Sequence, residues 1–245
     1  MRRTSYHLPI IISALMTSAV IAADKEPRPL LIVVDGAGDL KGCSTAVAQA
    51  VRLNDLPIEV KPFPWSHGHY KIYKDQVDDR HSRAKGMELA ERLIEWRREQ
   101  PDRPIFLVTY SAGAAVGLAA GNHMPANTID RHILLSPSVS TRYDLRPSLR
   151  ASRFGVDVFC SSKDKWALGI AMKLVRTADD LHDKEAAGRL GFRELIERPE
   201  DEKLYKQLRH IFWTPADAKL GHNGGHNGVK AAGFLSEQVL PLLKP

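Results

Sequence analysis

The sequence predicts a doubly wound α/β fold: a mostly parallel sheet of about six strands with helices on both faces. Three observations predict it. Short, almost unbroken apolar runs rich in Val, Ile and Leu recur along the chain, the pattern of strands buried on both faces rather than on one. Segments of helical period separate several of these runs, as strand–helix–strand units require. Glycine and proline mark the junctions.

The elements follow in order. "PLLIVVDG" (29–36) is a continuous apolar run closed by Gly36, and "CSTAVAQAVRLNDL" from Cys43 reads as the helix behind it. "IEVKPFPW" (58–65) is the second strand. "RAKGMELAERLIEWRREQ" (83–100) sets Met87, Ala90, Leu93, Ile94 and Arg97 at helical spacing until Pro101 and Pro104 stop it. "IFLVTY" (105–110) is the third strand, with "AGAAVGLAAG" as a helix of small residues after Ser111. "HILLSPS" (132–138), "GVDVFCSS" (155–162) and "HIFWTP" (210–215) complete the sheet, and a last helix is expected from Val229 to Leu243. No internal repeat of domain size and no low-complexity tract interrupts this order.

The first residues stand apart. Arg2 and Arg3, an apolar stretch from Leu8 to Ile21, and small residues at Val20, Ala22 and Ala23 form the three-part pattern of a secretory signal peptide. Residues 1–23 are therefore expected to be a signal and 24–245 a single domain, exported to a periplasm or secreted. A spanning helix needs about 20 apolar residues, and this stretch is shorter and broken by Ser13, Thr17 and Ser18, so no stable membrane anchor is expected. Export permits disulfides, and a Cys43–Cys160 bridge stays open, although Cys160 lies in an apolar run where a buried free thiol is common. The net charge is +6, but Lys and Arg are scattered among acids rather than gathered in a stripe, so no nucleic-acid partner is expected.

In sheets of this kind ligands gather at the carboxyl ends of the strands, and three places there carry chemistry. Thr109-Tyr110-Ser111-Ala112-Gly113 matches G-x-S-x-G with Thr in place of the first Gly. A serine on such a strand-to-helix turn is thrust above the sheet edge, and small neighbours let helix and strand approach; a helix cap is the alternative role. Asp164 in "SSKDKW" follows the strand at 155–160, with Asp144 in the preceding strand's loop as its competitor. "LGHNGGHNGVKAAGFLSEQVLPLL" (220–243) places His222 and His226 in a loop able to lower an imidazole onto the sheet edge, where a group titrating near neutrality can shuttle a proton. His226 is preferred because it lies closer to the helix start, with His222 as the alternative base. The i, i+4 spacing would suit a metal only on a helix, and four glycines in eight residues argue against one. "DGAGDLKG" fails as a dinucleotide loop because Lys41 stands where the third glycine belongs. No metal and no organic cofactor is expected.

Ser111, Asp164 and His226 occur in the chain order serine, acid, histidine, each after its own strand. On these residues the chain resembles the α/β-hydrolase superfamily over essentially the whole of 24–245. The resemblance implies Ser111 as nucleophile, His226 as general base and Asp164 as the group orienting the imidazole. It also implies an oxyanion hole from the Ala112 amide and that of Ala37, or else Gly38, in "VDGAGDLKG", where Asp35-Gly36 stands in place of the His-Gly that members often carry. The expected activity is that of an exported serine hydrolase cleaving small-molecule or polymeric carboxylic esters through an acyl-enzyme. Two other readings stay open: an inactive binding protein on the same fold, favoured by Thr109 and Asp35, and an acyltransferase using the same serine. The full fold's first two strands are missing, as in compact cutinase-like members, and no lid insert separates the strands at 132–136 and 155–160. Residues 165–209 read as a charged helical stretch. Trp166, Trp65, His67, His69 and Tyr70 read as packing residues, with a pocket mouth as their alternative.

Overall fold

The computed structural model describes residues 27–164, 177–179, 181 and 184–244, so the expected signal peptide and Trp166 lie outside the described residues. Six strands form the sheet: β1 (Leu30–Val34), β2 (Glu59–Pro62), β3 (Ile105–Tyr110), β4 (Arg131–Leu135), β5 (Val156–Cys160) and β6 (Leu208–Phe212). They lie in the order β2-β1-β3-β4-β5-β6, every pair parallel. Every residue of β1, β3 and β5 is buried, which is why those runs carry no polar alternation. Pro62 and Pro64 end β2 early, since proline offers no amide to a ladder.

The two faces of the sheet have separate cores because successive strand residues point opposite ways. Leu31, Val33, Phe106, Val108, Ile133 and Leu135 pack beneath α1 (Gly42–Leu53) and the C-terminal Phe234, Leu235 and Val239. Leu30, Ile32, Val34, Leu107 and Leu134 face α3 (Asp79–Glu99), α4 (Gly113–Gly121) and α5 (Arg146–Ala151). A short helix, α2 (Ile72–Val77), precedes α3. Each buried Leu or Ile of these cores stabilises by about 2 kcal/mol. The chain builds outward from β1 to β2, then crosses back to β3, so the direction of winding reverses between β1 and β3 and leaves a crevice at their carboxyl ends.

Several expectations change in detail. The last segment is not one helix from Val229 to Leu243. It is a 3₁₀ turn at Gly228–Lys230, an extended Ala231, a helical turn at Ala232–Phe234, a π-turn at Leu235–Val239 and a 3₁₀ turn at Leu240–Leu242. Pro241 removes the amide that would continue the ladder, and the wide turn before it keeps Phe234, Leu235, Val239 and Leu240 on the sheet. Within 165–209 the described helices are only Ala187–Leu190 and Pro199–Tyr205. Cys43 and Cys160 are free and buried, and no bridge joins them because they pack on opposite faces of the sheet. Burial pushes the Cys160 thiol up to about 12. No described helix is long and apolar enough to cross a membrane.

Candidate active site

Ser111 is the first residue past β3 and adopts φ 54°, a left-handed conformation that costs a non-glycine residue about 1–2 kcal/mol. Its backbone is held in that state from both sides. The Ser111 amide donates to the Leu135 carbonyl at 3.1 Å, and its own carbonyl accepts from Ser138 at 3.0 Å and Ala114 at 3.1 Å. Gly113 is required two residues on, because a Cβ there would lie 2.2 Å from the Asp35 carbonyl oxygen. Thr109 is tolerated where the motif has glycine because Gly117 of α4 faces it: a Cβ at 117 would lie 2.4 Å from the Thr109 methyl. The need for a small residue has moved from the strand to the helix.

His226 reaches this turn from the glycine-rich loop after β6. Its Nε2 lies 2.8 Å from Ser111 Oγ and its Nδ1 lies 2.7 Å from Asp164 Oδ2. Asp164 is 1% exposed, in the turn after β5, where its amide donates to the Ser161 carbonyl at 3.0 Å. Ser161 Oγ in turn donates to the Gly224 carbonyl at 2.6 Å, which ties the histidine loop to the end of β5. Tyr110, its ring 5.1 Å from that of His226, donates its hydroxyl to Asn227 Oδ1 at 3.0 Å. Burial pushes the Tyr110 hydroxyl upward, so it serves as a donor throughout the working range of pH.

The second histidine has a different fate. His222 is buried with its edge on the Phe234 ring, centroids 4.6 Å apart, and its Nδ1 accepts from the Gly224 amide at 3.1 Å. Gly228 leaves the notch it fills, since a Cβ there would lie 2.1 Å from His222 Nδ1. Burial lowers its pKa, against the opposing pull of the Asp217 and Asp164 carboxylates. Asp144 is likewise turned elsewhere: it takes Arg146 Nε and Nη2 at 2.9 Å each, in a network with Glu197 and Asp201.

The loop after β1 completes the crevice. Gly36 lies against the serine, a Cβ there being 3.2 Å from Ser111 Cβ. Asp35 does not point at the serine; its Oδ1 accepts from the Cys43 and Ser44 amides at 2.7 and 3.0 Å, satisfying the first turn of α1. Trp65 Nε1 donates to the Asp35 carbonyl at 2.7 Å. The Gly38 amide is occupied by Asp75 Oδ2 at 2.7 Å. Among the described residues the amides of Ala37 and Ala112 donate to no protein acceptor.

Asp75, on α2, is a functional candidate that sequence reasoning missed. It is 1% exposed and accepts, besides Gly38, from Ser66 Oγ at 2.5 Å, the His67 amide at 2.8 Å and His67 Nδ1 at 2.8 Å. Burial alone would raise its carboxyl, but these donors outweigh it and hold the group below the ordinary carboxylate range. The next residue, Gln76, donates to Ser138 Oγ at 2.9 Å, so α2 bridges the loops after β1 and β4. Trp65 and His67 pack, as expected, His67 stacking on His81 at 3.8 Å. Tyr70 packs on the His69 ring, centroids 4.1 Å apart, but stays largely exposed, as do Leu40, Ile72 and Tyr73. No group of three or more His, Cys, Asp or Glu among the described residues is arranged to hold a metal ion.

No protein-family model and no curated protein matches the chain. Among solved structures it is similar to esterase PE8, at 18% identity over 86% of this chain and 92% of that one, with a TM-score of 0.48. It is similar to a Xanthomonas campestris protein described as a hydrolase of the alpha/beta superfamily, at 14% identity, covering 87% and 99%, with a TM-score of 0.45. The catalytic core of an acetyl xylan esterase from Trichoderma reesei matches at 13% identity, covering 85% and 98%, with a TM-score of 0.41. An uncharacterized Bacillus cereus protein matches at 15% identity and a TM-score of 0.45, and the chain spans 55% of that protein's chain. The α/β arrangement stands on the chain's own six-stranded parallel sheet with helices on both faces.

Proposed function

We propose that the chain is an exported serine hydrolase that cleaves carboxylic esters, with Ser111 as nucleophile, His226 as general base and Asp164 as the carboxylate that orients it. One observation carries the reading: the unbroken line Asp164–His226–Ser111, with links of 2.7 and 2.8 Å, at the crevice where the sheet reverses direction. A serine hydroxyl is a weak nucleophile at neutral pH, and a hydrogen-bonded imidazole is the usual remedy.

In the proposed cycle Ser111 Oγ attacks the ester carbonyl carbon while His226 Nε2 takes the hydroxyl proton. The carbonyl π electrons move to oxygen, which meets the Ala112 and Ala37 amides; losing one such donor costs about 3 kcal/mol in comparable sites. Collapse of the tetrahedral species breaks the bond to the alcohol, which leaves with the proton held by His226. Water then repeats the sequence on the acyl-Ser111, releasing the acid and restoring the hydroxyl. Asp164 accepts from His226 Nδ1–H and holds that tautomer, so that Nε2 is the free base. The exposed Leu40, Tyr70, Ile72 and Tyr73 favour substrates with an apolar portion. Export rests on the pattern of residues 1–23.

The test is labelling with a fluorophosphonate followed by rates across a chromogenic ester series, wild type beside Ser111→Ala. Stoichiometric labelling at Ser111 and turnover lost in the variant are expected. A wild-type protein that neither labels nor turns over any ester overturns the reading in favour of a binding protein on this fold.

A further inference from the structure

The edge of the sheet opposite the serine carries a separate feature. Below the amino ends of β4, β5 and β6, Arg131, Arg153, Phe154, Lys206, Gln207 and Arg209 line an open cleft of about 380 Å³. Four of these six residues are cations. Asp157, wholly buried on β5, is paired with two of them: its Oδ2 takes Arg131 Nη1 at 2.7 Å and its Oδ1 takes Arg209 Nε at 2.5 Å. The register makes this possible, because Asp157 stands directly across from Arg209 on β6 while Arg131 begins β4. One negative charge thus aligns two guanidiniums and leaves the cluster strongly positive.

The remaining cations are placed but not neutralised. Among the described residues Arg153 and Lys206 have no carboxylate partner, and Arg131 Nε is buried with no acceptor. The Arg153 and Arg131 guanidiniums lie 5.2 and 5.9 Å from the centre of the Phe154 ring, which holds both against one aromatic. The Arg153 and Phe154 amides donate to the Ile129 and Asp130 carbonyls at 2.9 and 2.7 Å, so this turn is anchored to the start of β4. Like charges gathered this closely repel one another, and an anion bound among them offsets that cost.

We propose that this cleft binds a phosphate-type oxyanion, free or carried on a larger molecule. Planar guanidinium forks pair bidentately with phosphate oxygens, and a tetrahedral polyanion has enough oxygens to engage several forks and an ammonium at once, whereas a single carboxylate has two. The four cations share one cleft, which fits a compact anionic group rather than an extended nucleic-acid backbone.

The test is titration of the full chain with inorganic pyrophosphate at constant ionic strength, by calorimetry and backbone amide NMR. Saturable binding is expected, with shifts confined to Arg131, residues 153–157 and residues 206–209. Arg153→Gln combined with Lys206→Gln should weaken it at least tenfold while leaving any ester turnover unchanged, and a cooperative thermal transition in the variant confirms that it is folded. Polyphosphate at equal phosphate concentration separates the two sources: tighter binding per phosphate assigns a polymer-borne group, equal binding a free one. Undiminished binding by the double variant, or acetate reproducing the pyrophosphate shifts, overturns the proposal.

Discussion

His132 gives the chain a built-in sensitivity to acid. It is the second residue of β4, wholly buried, with Nε2 3.2 Å from Thr109 Oγ1 and Nδ1 unpartnered among the described residues. Burial lowers its pKa from 6.5 to about 3. Below pH 6.5 the unfolded chain therefore binds a proton that the folded chain refuses, so stability falls as pH drops from 6.5 towards 3 and is flat above that window. At pH 5 the unfolded imidazole is about 97% charged and the folded ring neutral, which costs about 2 kcal/mol relative to pH 8. For a chain of this size the thermal midpoint falls by about 4–8 °C. The perturbation is His132→Gln, with His132→Leu as a second variant, and the assay is urea unfolding at 25 °C and pH 8, 6 and 5. Both variants lose absolute stability, because the Thr109 contact and the space beside Gly117 are disturbed, but their pH dependence should be shallower than wild type by about 2 kcal/mol between pH 8 and 5. Burial also lowers His210 and His222, so only this difference isolates His132. Variants that lose as much between pH 8 and 5 as wild type refute the reasoning.

Three further outcomes follow from the site. His226→Ala should reduce kcat/KM on a chromogenic ester by roughly a thousandfold or more, whereas His222→Ala should keep most activity and lose about 1–3 kcal/mol of stability in urea through the void beside Phe234; the opposite ranking would make His222 the base. Asp75→Asn should lower kcat about tenfold or more with KM little changed, because releasing Gly38 displaces the neighbouring Ala37 amide, and Asp75→Glu should not restore it; a change confined to KM would remove Asp75 from this role. Gly113→Ala should cost about 3 kcal/mol or more in unfolding experiments, since its methyl would meet the Asp35 carbonyl at the end of β1, and a soluble variant of wild-type stability would show that α4 can move.

The strands, their parallel arrangement and the meeting of Ser111, Asp164 and His226 were legible because each depends on local signals: apolar runs, one strand-to-helix turn, and residues placed just past strand ends. Between the two histidines the sequence offers only proximity to the helix start in favour of His226, because both sit in the same four-residue phrase. Space sets which imidazole lies beside Ser111: His222 fills the notch at Gly228, while His226 reaches the serine. Asp75 was invisible for a related reason, since one of its donors, Gly38, lies on a loop 37 residues earlier and nothing in its own neighbourhood marks it. The single C-terminal helix was a misreading of period: apolar spacing fixed which side chains face the sheet, while Pro241 and the extended Ala231 broke the backbone ladder beneath them.

The segment from Asp35 to Gly38 is fastened at three points, by the Asp35 carboxylate on α1, by the Trp65 indole on its carbonyl and by Asp75 on Gly38. The consequence lies in time rather than in space. Three anchors resist displacement of this stretch, so under the proposed function an arriving ester meets it already in place. Under that proposal, turnover is expected to contain no waiting period for this part of the molecule to fold over its guest.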